Sequence, residues 1–139
     1  MQNVGDGQPY YKLSSFQHVI RELPLDTLRI AYSSAIAPIM TVRHCSEDEA
    51  RDYIRQVVLD LKKGHYAKTI GVGGAMPADE YGVIKDGIPL YVKLIATPKG
   101  KLTTENHLIL SCHPTRFDLR TLNGVVPQYT GQVLPAITQ

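Results

Sequence analysis

Four short runs in this 139-residue chain set cationic or proton-exchanging side chains among apolar ones: Lys-Lys-Gly-His-Tyr-Ala-Lys-Thr-Ile over 62–70, Asp-Glu-Tyr-Gly-Val over 79–83, Leu-Tyr-Val-Lys-Leu over 90–94 and Leu-Ile-Leu-Ser-Cys-His over 108–113. Lysine holds a phosphate as a point charge. Imidazole exchanges protons near neutral pH, and a tyrosine stacks on a base or donates its hydroxyl. Together these groups suffice to cut RNA without a metal. A base takes the 2′-hydroxyl proton, that oxygen attacks the adjacent phosphorus, an acid protonates the departing 5′-oxygen, and cations offset the charge that builds on the phosphoryl oxygens. His113 is the first candidate for proton transfer, with Lys68, Tyr91 and His65 as further catalytic candidates. Lys93, Lys63, Tyr66 and Tyr81 are the candidates for substrate binding. Each also has a purely structural reading. His65 at a helix end favours the dipole, Lys68 and Lys93 suit solvated strand positions, and Tyr91 suits cross-strand packing.

Other chemistries fit less well. The Gly-rich segment 71–77 lacks the Gly-Lys-Ser/Thr ending of a nucleotide-binding loop. Neither the five histidines nor the two cysteines, Cys45 and Cys112, show metal-ligand spacing, so no metal and no small-molecule cofactor is expected. Asp79 and Glu80 are adjacent and leave a strand on opposite faces, which argues against a paired-carboxylate site. A Gly-x-Ser-x-Gly nucleophile elbow is absent.

The candidate residues need elements to hold them. Residues 1–9 read as a flexible leader. A first helix follows, with Ser14 or Ser15 as cap, Gln17 completing a capping box and Phe16, Val19, Ile20 and Leu23 on one face. Pro24 stops it. The stretch 28–45 is ambiguous: 28–32 suits a strand, and Ser33 to Ala37 suits a helical turn ended by Pro38. The clearest helix starts at Ser46, with Glu49 closing a capping box, and carries Ala50, Tyr53, Ile54, Val57, Val58 and Leu61 as one apolar stripe. Gly64 reads as its left-handed cap. Beyond it the period changes to two. Strands are expected over 65–70, 80–84, 88–97 and 106–112, with a hairpin at Lys85-Asp86-Gly87 and a turn at 98–101.

Alternation puts Tyr91 and Lys93 on one face, opposite Leu90, Val92 and Leu94. It groups Ile109, Ser111 and His113 on one face, and Tyr66, Lys68 and Ile70 on another. A shared surface of Lys68, Tyr91, Lys93 and His113 follows if the strands are neighbours. Helices followed by an antiparallel meander imply an α+β domain, with two or three N-terminal helices packed on one face of a small sheet.

Size allows one domain with a single core. A hydrophobic content of 43% argues against global disorder. The net charge of +2 is too small to indicate a nucleic-acid partner by itself. Met1 to Gln8 is polar and unlike a secretion signal, no apolar run reaches membrane-spanning length, and the cysteines form no disulfide framework, so a cytoplasmic protein without a membrane partner is expected.

The order of these pieces resembles the MqsR-type toxins of bacterial toxin–antitoxin systems. The pieces are Tyr11-Lys12-Leu13, Lys63-Gly64-His65-Tyr66-Ala67-Lys68-Thr69-Ile70, Asp79-Glu80-Tyr81, Leu90-Tyr91-Val92-Lys93 and Leu108-Ile109-Leu110-Ser111. The resemblance implies a RelE-like (RelE/barnase-like) ribonuclease domain over 10–113. It leaves a C-terminal extension over 114–139, uncharged from Thr121 onward. It places the family's strand lysine at Lys68 and its strand tyrosine at Tyr91. The chain departs from it at His113, where the family has lysine, and at Ala78, where it has glutamine. The implied function is an endoribonuclease toxin, an RNA interferase that cuts messenger RNA, inhibits growth and is neutralised by a cognate antitoxin. Two alternatives remain open: a transfer-RNA-cutting domain of a contact-delivered or phage-linked system with an immunity partner, and a non-catalytic RNA- or protein-binding module.

Overall fold

The computed structural model describes residues 7–72 and 76–134. The leader at 1–6, the centre of the Gly-rich segment and the last five residues of the extension lie outside them. The fold is α+β. Three helices, α1 (Leu13–Arg21), α2 (Ala37–Arg43) and α3 (Glu47–Asp60), pack on one face of a four-stranded antiparallel meander. Its strands, in spatial as in chain order, are β1 (Tyr66–Val72), β2 (Met76–Lys85), β3 (Ile88–Ala96) and β4 (His107–Pro114). A short hairpin of β5 (Leu119–Thr121) and β6 (Gly124–Val126) follows. No helix among the described residues is long and apolar enough to cross a membrane.

α3 forms as its sequence requires. The Ser46 side chain accepts from the Glu49 N–H and the Glu49 carboxylate accepts from the Ser46 N–H, which stabilises the helix start by about 1 kcal/mol. Its apolar stripe is buried against Tyr81, Val83, Leu90, Val92, Leu94 and Cys112 of the sheet. Its far end is closed by another residue than expected. The helix stops at Asp60 with Leu61 extended, and Gly64 sits in a 3-10 turn without a left-handed conformation. The carbonyls of Val58, Leu59 and Leu61 accept from Gln17 Nε2 at 3.0, 3.2 and 3.0 Å, and that of Val58 also accepts from Leu61 N–H at 3.2 Å. Gln17 therefore caps α3, not its own helix. α1 begins a turn before the expected serines, because the Lys12 carbonyl already accepts from Ser15 and Phe16. The ambiguous stretch resolves into three pieces. Ile30 bridges Ile109, Tyr32–Ile36 forms one π turn, and Pro38 opens α2 rather than ending a helix, a position where its missing N–H costs nothing.

The Asp86-Gly87 pair has positive φ at both residues (52° and 77°), the type I′ geometry that joins β2 to β3 without splaying them. Both outer strands carry a bulge. Ala67 is an extra residue in β1, between Tyr66 (opposite Tyr81) and Lys68 (opposite Glu80). Leu110 is an extra residue in β4, between Ile109 (opposite Leu94) and Ser111 (opposite Lys93). Each bulge reverses the phase of alternation. Tyr66 thus turns to the helices and Lys68 to the other face. Ile109 turns to the core with Cys112, while Ser111 and His113 face away. The expected groupings of Tyr66 with Lys68 and of Ile109 with Ser111 fail for this reason.

The chain after β4 folds back on the sheet, and its β5–β6 hairpin packs Leu119 and Val126 with Tyr91 on the face that the helices leave uncovered. Leu122 N–H bonds the Tyr66 carbonyl at 3.0 Å and Asn123 N–H bonds the Gly64 carbonyl at 2.9 Å. Leu134 N–H reaches the Gly87 carbonyl at 2.7 Å. Two glycines make room for this wrap. A Cβ at Gly82 would come within 2.7 Å of Leu119, and one at Gly64 within 2.2 Å of Asn123.

Candidate active site

The face away from the helices holds a cavity of about 400 Å³ between the four strands, the π turn and the 115–119 segment. Each strand contributes through its outward positions: Lys68 from β1, Glu80 from β2, Tyr91 and Lys93 from β3, Ser111 and His113 from β4. Ser34, Arg116 and Phe117 complete the lining. The Ser34 hydroxyl donates to the carbonyl of Leu110, the bulged residue, which ties the π turn to the strand irregularity that aims Ser111 and His113.

Glu80 is the anchor of the cluster. The Tyr91 hydroxyl donates to its Oε2, and Lys93 Nζ lies 4.0 Å from the same oxygen. Among the described residues Oε1 carries no hydrogen bond, so one carboxylate oxygen is fixed and the other faces the cavity unengaged. Lys68 stands directly opposite Glu80 in the β1–β2 pairing. Burial and the adjacent Glu80 carboxylate push the Tyr91 phenol far above its ordinary value. Tyr91 therefore keeps its proton and works as a hydrogen-bond donor that orients Glu80.

His113 stacks on Tyr91, with ring centres 5.1 Å apart. Its Nδ1–H donates to the Pro114 carbonyl at 2.9 Å, which fixes the tautomer and leaves Nε2 as the exchanging nitrogen. Burial, with the Arg116 and Lys93 charges adding, holds the imidazole below its ordinary pKa, while the Pro114 carbonyl opposes that shift. An arriving anion would reverse the charge contribution and favour the imidazolium. Lys68, Lys93 and Arg116 set three cations against one carboxylate in the same space, an arrangement that favours an anion.

Four of the eight candidate residues, Lys68, Tyr91, Lys93 and His113, meet here. The other four lie elsewhere. Tyr66 and Tyr81 are each 1% exposed on the helix side of the sheet, edge to face with ring centres 5.8 Å apart, and cannot touch a substrate. His65 sits in the 3-10 turn, where its Nδ1 accepts from Lys62 N–H at 2.9 Å, so it serves as a local cap. Lys63, exposed in the same turn, does not line the cavity.

Glu80, Ser111 and Arg116 were not among the candidates. Glu80 had a legible signal: alternation puts it on the same side of β2 as Gly82 and across from Lys93. A search for paired carboxylates passes over it, because Asp79 beside it leaves the strand on the opposite face. Arg116 had none, since its position depends on how the chain turns after β4.

Comparison of the chain with family models, with curated proteins and with solved structures returns no match. The MqsR-type resemblance thus has no match behind it, and any functional reading stands on the geometry of this cavity.

Proposed function

We propose that the protein is a metal-independent endoribonuclease of the toxin type, acting through the cavity on the open sheet face. One observation carries this reading: a carboxylate, an imidazole and three cations from five separate segments line one cavity of about 400 Å³. In this reading Lys68, Lys93 and Arg116 hold the scissile phosphate. Glu80 Oε1 takes the proton of the 2′-hydroxyl, whose oxygen forms a bond to phosphorus as the bond from phosphorus to the 5′-oxygen breaks. His113 Nε2 gives its proton to that leaving oxygen. The products are a 2′,3′-cyclic phosphate and a 5′-hydroxyl. The bound anion raises the His113 pKa from its depressed value and so supplies the acid form. Tyr91 positions Glu80 and stacks on His113. An antitoxin or immunity partner that neutralised such an activity would need to occlude this cavity.

The test is incubation of the purified chain with total bacterial RNA, with and without EDTA, followed by analysis of the ends. The expected outcome is cleavage that EDTA leaves unchanged, with 2′,3′-cyclic phosphate ends. Intact RNA under all conditions would refute the reading, and cleavage abolished by EDTA would refute the metal-free mechanism.

A further inference from the structure

We propose that Phe117 is the stacking platform for the nucleobase beside the scissile phosphate, and that the substrate is therefore an unpaired stretch of RNA. This rests on the ribonuclease reading and adds to it the kind of strand the site accepts.

Phe117 lines the same cavity as Lys68, Lys93 and His113, yet is 57% exposed. A single exposed apolar residue is ordinary on a protein surface. Here the backbone around it is held unusually well for an exposed ring. Thr115 N–H donates to the Pro89 carbonyl at 3.0 Å, and its hydroxyl to the Pro127 carbonyl at 2.6 Å. The Thr115 carbonyl accepts from Tyr129 at 3.1 Å, and the Asp118 carboxylate accepts from Gln128 N–H at 2.9 Å. Leu119 is buried against Tyr91 and Val126. The ring thus projects from a segment fixed on both sides, and holding it there costs little further entropy when a ligand arrives.

The other two rings of the cavity are already engaged. Tyr91 and His113 stack on each other, and Lys93 Nζ lies 5.4 Å from the Tyr91 ring centre. Phe117 is the aromatic surface left for a base. A phosphate held by Lys68, Lys93 and Arg116 carries a nucleoside on each side, and Phe117 lines the same cavity as all three cations, within reach of one of those bases in the proposed pose. A ring can stack on Phe117 only after leaving its own stack, which favours single strands, loops and bulges over duplex. Stacking tolerates every base, so this platform selects strandedness more than sequence.

The chain contains no tryptophan, so Phe117→Trp introduces a sole tryptophan at the platform, excited selectively at wavelengths that tyrosine does not absorb. Its emission should be quenched by a 2′-deoxy dinucleoside phosphate, which cannot be cut by 2′-hydroxyl attack, and not by the abasic analogue or by inorganic phosphate. Phe117→Ala and Phe117→Leu should each raise KM for a single-stranded oligonucleotide roughly tenfold, with kcat little changed, and Phe117→Trp should restore it. Equal quenching by the abasic analogue, or a leucine variant as good as the parent, overturns the platform. Base-dependent quenching in a protein that cuts no RNA leaves the platform standing and removes the nuclease reading. Cleavage without base-dependent quenching does the reverse.

Discussion

Asp79 and Glu80 are consecutive carboxylates on one strand, and they meet opposite surroundings. Asp79 turns toward the helices, where it accepts from the Tyr10 and Tyr11 N–H groups at 2.8 Å each and from the Thr69 hydroxyl at 2.5 Å. Its donors are all neutral, and burial pushes its carboxyl above the usual range against the opposing effect of those bonds. Glu80 turns the other way, into a cavity with three cations and an imidazole, and among the described residues only its Oε2 is engaged. The tyrosines divide in the same way. The Tyr66 hydroxyl bonds Thr69 inside the core, whereas Tyr91 orients Glu80 at the cavity. The helix-side face spends its polar groups on holding the chain together. The open face concentrates charge: Lys68, Glu80, Lys93 and Arg116 line one cavity. An enzyme reading predicts such a division, because groups poised for chemistry are held in charged clusters that stability alone would not select.

The largest expected effect separates the two carboxylates by activity. Glu80→Gln and His113→Ala should each lower RNA cleavage by about 10²–10⁴-fold and restore growth to cells expressing the chain, while circular dichroism and the urea midpoint stay near those of the parent. Lys63→Ala and His65→Ala, outside the cavity, should leave cleavage unchanged. Full activity in both Glu80→Gln and His113→Ala would erase the contrast between the faces.

Asp79→Ala should do the opposite. It leaves two backbone donors and a buried hydroxyl without their acceptor, at a cost of about 3 kcal/mol. That loss should appear as a lower urea midpoint, with the cleavage rate of the folded fraction retained. A midpoint equal to that of the parent would mean that the Tyr10-Tyr11 segment does not need its carboxylate anchor.

The smallest effect is a shift along the pH axis. His113 in the free protein is held below the ordinary histidine value of 6.5. In the proposed mechanism it is the acid and is competent only when protonated, so kcat/KM should fall as pH rises, with a break below 6.5. The break in kcat should lie higher, because the bound phosphate favours the imidazolium. Arg116→Gln removes one of the charges that depress the ring and should move the kcat/KM break upward. A break that stays in place would assign the acid to another group.

Much of this architecture was legible locally. The Ser46 capping box, the apolar stripe of α3 and the Asp86-Gly87 turn form from neighbours within a few residues, and each formed as read. Regular alternation along β3 placed Tyr91 and Lys93 opposite Leu90 and Val92. The failures share one cause. Tyr66, Ile109, Gln17 and Gly64 were each assigned a role from sequence spacing, and in each a distant partner decided otherwise. Bulges at Ala67 and Leu110 have no signature in a run of apolar residues, because they are set by the register of the partner strand.

The sequence alone determined which residues have the chemistry and, through hydrophobic period, that α1 and α3 are helices and β1 to β4 strands, while 28–45 and the β5–β6 hairpin stayed undetermined. Short-range sterics and hydrogen bonds fix those choices. Tertiary structure alone decided that Glu80 joins Lys68, Lys93 and His113, that Tyr66 and Tyr81 are withdrawn to the core, and that Arg116 and Phe117 close the cavity. Those outcomes depend on pairings between residues tens of positions apart, and one extra residue in a strand is enough to turn a side chain from one face to the other.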